Sequence, residues 1–150
     1  MDVVRPQAGF TLIELMVVLV IIGIASAAIG LSIKPDPLHL LRKDAESLAQ
    51  ALQVAQAEVQ ADGRPIRWLS DSKGYRFSRG DDQGGVEQFA QDPQLRPRAW
   101  QSTPMQVRID PGKSLLLTAE WIGAPLRLSL SDGQHSISVL RSATGEVKVQ

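Results

Sequence analysis

The stretch GFTLIELMVVLVIIGIASAAIGLSI, Gly9 to Ile33, decides how the whole chain is read. From Leu15 to Ile33, fifteen of nineteen residues are apolar, the exceptions being Gly23, Ser26, Gly30 and Ser32. Nineteen helical residues rise about 28 Å at ~1.5 Å each, close to the ~30 Å hydrocarbon core of a bilayer. One membrane-spanning helix is the direct expectation. Glu14, near its start, is the anomaly. On the insertion scale a charge such as Asp at the centre of a membrane helix costs roughly 2.5–3.5 kcal/mol, and less near the interface.

The residues before the span do not make an ordinary secretory signal. That signal needs a basic start, a short apolar core and a small-residue cut after the core. Here MDVVRPQAG carries one Arg and one Asp, and the Ala-Ser-Ala at 25–27 lies inside the apolar run. A plain signal-anchor is one reading. Charge alone orients it poorly: Arg5 precedes the span, whereas Lys34, Arg42 and Lys43 follow it, which would leave the C-terminal side in the cytoplasm.

The run Gly9-Phe10-Thr11-Leu12-Ile13-Glu14 with its apolar continuation resembles the type IV prepilin signature, a class III signal. The resemblance implies that a prepilin peptidase on the cytoplasmic side cuts between Gly9 and Phe10 and methylates the new N-terminus at Phe10. Residues 1–9 are then the cleaved leader, and 10–33 the transmembrane and filament-core helix. The resemblance also implies a single-pass protein of the bacterial inner membrane with a periplasmic head, against the charge count. Glu14 acquires a role: in a filament it approaches the α-amine of Phe10 in a neighbouring subunit, and breaking such a buried pair costs roughly 3–5 kcal/mol. The alternative for Glu14 is a carboxylate snorkelling to the interface. Gly23 with Ala27, and Ser26 with Gly30, make small-xxx-small pairs that allow close helix contact in lipid, or are simply tolerated there.

Working outward, Lys34-Pro35-Asp36-Pro37 breaks the helix, since each proline removes a donor and disfavours helix at the residue before it. A second helix is expected over 38–62. Leu41, Ala45, Leu48, Leu52, Ala55 and Val59 form one apolar stripe, with Arg42, Lys43, Glu46, Gln50, Gln53 and Glu58 mostly on other faces. Gly63 and Pro65 stop it. Short strands are expected at 65–70, 74–79, 86–90, 105–110, 114–121, 126–131, 136–141 and 146–150. Ser-Asp-Gly at 131–133 and Ala-Thr-Gly at 143–145 mark turns. The segment 80–104, with Pro93, Pro97 and Pro104, reads as a loop-rich excursion with room for one edge strand. A long helix on an antiparallel sheet defines an α+β head over 38–150.

The totals exclude several functions. The chain has 150 residues, no cysteine, and 16 basic against 16 acidic residues. Zero net charge argues against an electrostatic nucleic-acid binder, and the absence of cysteine removes disulfides and thiolate metal sites. His39 and His135 belong to no metal or triad motif. No catalytic residue, cofactor or metal is expected. Asp81 and Asp82 fall short of the six to eight oxygens calcium takes and suit a turn better. Trp68, Trp100 and Trp121 suit core or interface anchors.

ESLAQALQVAQAEVQADGRPIRW, then Gly74-Tyr75-Arg76-Phe77, then late strands broken by Ser-Asp-Gly and ATGEVKV, make the head similar to the minor pseudopilin H branch of type II secretion systems. Its aromatic strand has tighter spacing here, Lys-Gly-Tyr-Arg-Phe, than the family's wider pattern. The resemblance implies a non-enzymatic adaptor near the tip of a periplasmic pseudopilus that helps export folded exoproteins. Its implied partners are the prepilin peptidase, the major and other minor pseudopilins, the inner-membrane assembly platform, and membrane lipid before assembly. The alternative is a minor pilin of a type IV pilus, acting in pilus assembly or DNA uptake. Under it, Arg64, Arg67, Arg76 and Arg79 with Trp68 and Tyr75 would form a basic aromatic strip for single-stranded nucleic acid, or else a solvated sheet face.

Overall fold

The computed structural model describes residues 9–32, 34–120 and 125–150. The chain divides into two units, 1–35 and 36–150.

The first unit contains one helix, α1 (Leu12–Ser32). Gly9, Phe10 and Thr11 lie outside it, so the helix starts two residues later than the expected 10–33, and Ile33 lies outside the described residues. Every side chain described from 9 to 29 is exposed, including Leu19, Ile21 and Ile24. A helix that is apolar on all sides with nothing to bury against is stable only in lipid or against other helices. The window Leu12–Ile29 is long and apolar enough to cross a membrane.

The second unit opens with α2 (Pro37–Asp62). Both ends follow from local chemistry. The Asp36 carboxylate accepts from the Leu38 N–H at 3.1 Å, and Pro37 occupies the first turn, where its missing donor costs nothing. Gly63 closes the helix in the left-handed conformation at φ 72°, its N–H donating to the Val59 carbonyl at 2.8 Å. All six stripe residues, Leu41, Ala45, Leu48, Leu52, Ala55 and Val59, are buried.

Two antiparallel sheets complete the head. The first runs β3 (Val86–Glu87), β2 (Gly74–Gly80), β1 (Ile66–Ser70), β6 (Leu115–Leu117), with β4 (Arg98–Ala99) also on β2. The second runs β5 (Gln106–Asp110), β7 (Leu126–Ser131), β8 (Ser136–Arg141), β9 (Val147–Val149). α2 lies against β6, β7, β8 and β9. Alternation supplies the core: Ile66, Trp68, Phe77, Leu115, Leu117, Leu128 and Leu130 point inward and are almost wholly buried. Each such side chain contributes about 1.5–3 kcal/mol relative to exposure.

Two strand expectations change. The pairing expected over 86–90 ends at Glu87, because Phe89 turns to a positive φ of 51° and sinks its ring into the core. The strand expected over 114–121 is reduced to Leu115–Leu117, and Trp121 lies outside the described residues.

Candidate assembly site

In the first unit, the residues singled out from sequence sit at the start of α1. Gly9 is exposed, and a side chain built there would meet no atom within 4 Å. Among the described residues, then, its smallness serves no packing. Phe10 is 83% exposed. Thr11 caps the helix: its hydroxyl accepts from the Glu14 N–H at 3.4 Å, and its carbonyl from the Leu15 N–H at 3.2 Å. Thr11-Leu12-Ile13-Glu14 has the spacing of a capping box, which puts the Glu14 carboxylate in the first turn, beside the positive end of the helix dipole. That placement lowers the cost of a charge there. It leaves one turn of chain between Glu14 and Phe10.

The head builds a rigid body out of its irregular segment. Asp44, buried on α2, accepts backbone N–H groups from Gln101 at 3.0 Å and Ser102 at 2.8 Å. A buried carboxylate must be hydrogen-bonded, and here the loop's own backbone does it. Trp100 donates its ring N–H to the Asp71 carbonyl at 2.9 Å and packs on Tyr75 at 4.7 Å between centroids. Tyr75 packs in turn against Trp68 and Phe77. Burial raises the Tyr75 pKa, against a hydrogen bond with Ser47 that works the other way. Phe89, Leu95, Trp100 and Met105 all sink into the core, so the segment 80–104 is pinned along its length. It pairs with β2 twice, through β3 and β4, where one edge strand was expected.

Arg79 is the main charge centre of the head. It pairs with Asp62, with Glu87 at 2.8 Å and with Glu58 at 3.6 Å, and its guanidinium lies 4.9 Å from the Phe89 ring centroid. Burial disfavours its charge, but the Glu87 and Asp62 carboxylates outweigh this and raise its pKa. These pairs tie the end of α2 to β2 and β3.

The basic aromatic strip does not form. Trp68 and Tyr75 face the core at 1% and 5% exposure, while Arg67 and Arg76 face solvent. Neighbouring residues of a strand point to opposite faces, so Arg67 with Trp68, and Tyr75 with Arg76, are separated by the sheet. Arg79 is already matched by carboxylates, and Arg64 donates to the Gly80 carbonyl at 2.9 Å. Among the described residues no ring on this face is available for bases to stack on.

The other candidates have structural work. Asp81 closes its turn, accepting from the Gln83 N–H at 2.9 Å and from Gly85. Asp132 accepts from the Gln134 N–H at 2.8 Å and the His135 N–H at 2.6 Å, and also contacts the His135 ring. His39 is exposed. Among the described residues no three His, Asp or Glu side chains cluster to hold a metal.

An all-apolar helix joined to a helix-on-sheet head defines the class of pilins and pseudopilins. Residues 4–30 match the prokaryotic N-terminal methylation motif, and residues 44–145 match the type II transport protein GspH family. The chain belongs to the GspH family. Two solved structures are similar. One is the minor pseudopilin EpsH from the type 2 secretion system of Vibrio cholerae, 14% identical, with a TM-score of 0.57, covering 73% of this chain and 95% of that one. The other is the type IV minor pilin FimU of Pseudomonas aeruginosa, 19% identical, with a TM-score of 0.53, covering 73% and 87%. At these identities the likeness establishes the fold. No curated protein matches the chain.

Proposed function

We propose that the chain is a minor pseudopilin of the type II secretion system that joins the tip of the periplasmic pseudopilus to its shaft and so helps export folded exoproteins. The carrying observation is that one chain holds the methylation motif over residues 4–30 and the GspH family over most of its head. Prepilin peptidase cuts between Gly9 and Phe10 on the cytoplasmic face and methylates Phe10. The head, 38–150, faces the periplasm, and α1 holds the protein in the inner membrane until the assembly platform draws it into the filament. There Glu14 meets the α-amine of Phe10 in a neighbour, so that two charges costly in lipid neutralise each other. The family and fold are those of structural subunits.

A minor pilin of a type IV pilus is the second reading, favoured by the likeness of the head to FimU. Under this reading the strip proposed for nucleic acid lacks its stacking platform, because Trp68 and Tyr75 face the core. The two readings separate in a clean deletion strain. Loss of several folded exoproteins from the culture medium, restored by complementation, supports the secretion pseudopilus. Intact secretion with defective twitching or DNA uptake overturns it.

A further inference from the structure

The outer face of the first sheet carries side chains that the head's own folding does not use. Cross-strand register sets Leu116 beside Arg67, and Leu69 beside Arg76. Leu116 is 46% exposed and Val86, at the neighbouring β2 edge, 65% exposed. Arg67 and Arg76 are exposed and make no hydrogen bond or ion pair among the described residues, and the charge of Arg76 also acts on the Asp71 carboxylate. Arg67, Leu69, Leu116 and Val86 line a groove of about 670 Å³, with Asp82 as the carboxylate at its side. Arg79 also borders it, but its charge is matched by Glu58, Asp62 and Glu87.

From this we infer that the outer face of β1, β2 and β6 is a docking surface for a neighbouring pseudopilin, and that it takes an acidic segment carrying an aliphatic side chain. The inference rests on the pseudopilin reading above. The exposed guanidinium of Arg67 in the groove, with that of Arg76 beside it on the same face, selects carboxylates, which arginine binds in a bidentate, directional way. Leu69 and Leu116 between them reward an apolar side chain delivered with those carboxylates. The groove lies within the size range of sites that bury a small ligand, so it accommodates a side chain or two of an inserted segment. A flat anionic bilayer would meet the rim of this concavity and leave Leu69, half-buried in the groove, without a counterpart. A nucleic-acid strand would find phosphate partners but, among the described residues, no ring to stack on.

The test uses the full-length chain in cells that hold the complete secretion system. A photoreactive amino acid is placed at position 116, and a second probe at position 21 of α1 reports incorporation among neighbouring subunits. The expected adduct at 116 is a peptide of another pseudopilin with clustered Asp or Glu. Arg67→Glu with Arg76→Glu should lower its yield about tenfold, as like charges replace opposite ones across an interface. The thermal midpoint of the purified double variant in detergent should match wild type, since both side chains are exposed. Adducts only to lipid or nucleic acid, or none, while position 21 still labels pseudopilins, overturn the docking surface alone. Failure of position 21 to label any pseudopilin overturns the underlying assignment and this inference with it.

Discussion

α1 and α2 are helices of similar length, 21 and 26 residues, built on opposite rules. α2 carries one apolar stripe, is capped by Asp36 and Gly63, and buries Leu41, Leu48 and Val59 completely. α1 is apolar on all sides, and every side chain described through Ile29 is exposed. The difference shows where each helix finds its stability. α2 completes its burial inside the head. α1 has no face to hide, and its only strongly polar side chain sits in the first turn. Such a helix suits lipid or the company of other helices, and the pairing proposed for Glu14 would supply the cation its carboxylate lacks.

Substitutions at the start of α1 should leave the head untouched and abolish assembly steps. Gly9→Val should block processing almost entirely while the packing of the described residues stays as it is, since a side chain there meets none of their atoms within 4 Å. Gel mobility separates precursor from mature chain, and a variant that runs as mature protein would refute the cut at Gly9. Glu14→Ala should spare processing but deplete the protein from sheared or cross-linked pseudopili, as expected if a buried pair worth roughly 3–5 kcal/mol is lost. Equal recovery of variant and wild type would contradict the ion pair.

Substitutions in the head should behave in the reverse way. Asp44→Ala strands the Gln101 and Ser102 N–H groups and should destabilise the head by about 1–3 kcal/mol, read as a lowered urea midpoint. Asp44→Asn keeps one acceptor and should lose less. The fragment 36–150, which retains the Asp36 cap and its own core, suits the measurement, and an unstructured fragment by circular dichroism would contradict the independence of the head. Equal midpoints for Asp44→Ala and wild type would show that the loop does not depend on this carboxylate.

The smallest effect is that of acid. Backbone N–H groups of Lys73 and Gly74 hold the Asp71 carboxyl below the usual carboxylate range, and those of His135 and Gln134 do the same for Asp132. A carboxylate whose folded pKa is depressed stabilises the fold fully above its unfolded value. That contribution disappears as pH falls through the depressed one. The urea midpoint of the head should therefore be flat near neutrality and fall below about pH 4. Asp71→Asn should flatten part of that fall, and an unchanged slope would remove Asp71 from the account.

Periodicity made the regular parts of the head legible. The six-residue stripe of α2 is its buried face, and the alternation in Leu126, Leu128 and Leu130 and in Ile137 and Val139 is that of paired strands. Non-local contacts were not legible. Asp44 stands next to Ala45 on the core side, but its charge hides it in a stripe search, and its partners lie 57 and 58 residues away. The segment 80–104 has no period, so nothing local announces that Phe89, Leu95 and Trp100 anchor it or that Arg98–Ala99 pairs with β2. The arginine strip shows the opposite error, since adjacency in sequence suggested one surface where strand geometry makes two. At the start of α1, Gly9, Phe10 and Glu14 could be singled out because their pattern is contiguous.

The most direct test is the N-terminus of the wild-type protein, taken by mass spectrometry from cells with and without the prepilin peptidase. The account predicts a chain that begins at Phe10 and carries one extra methyl group when the peptidase is present, and an uncut leader when it is absent. A chain that keeps residues 1–9 in both strains, or one cut after the apolar run, would contradict it and return α1 to a plain membrane anchor or signal.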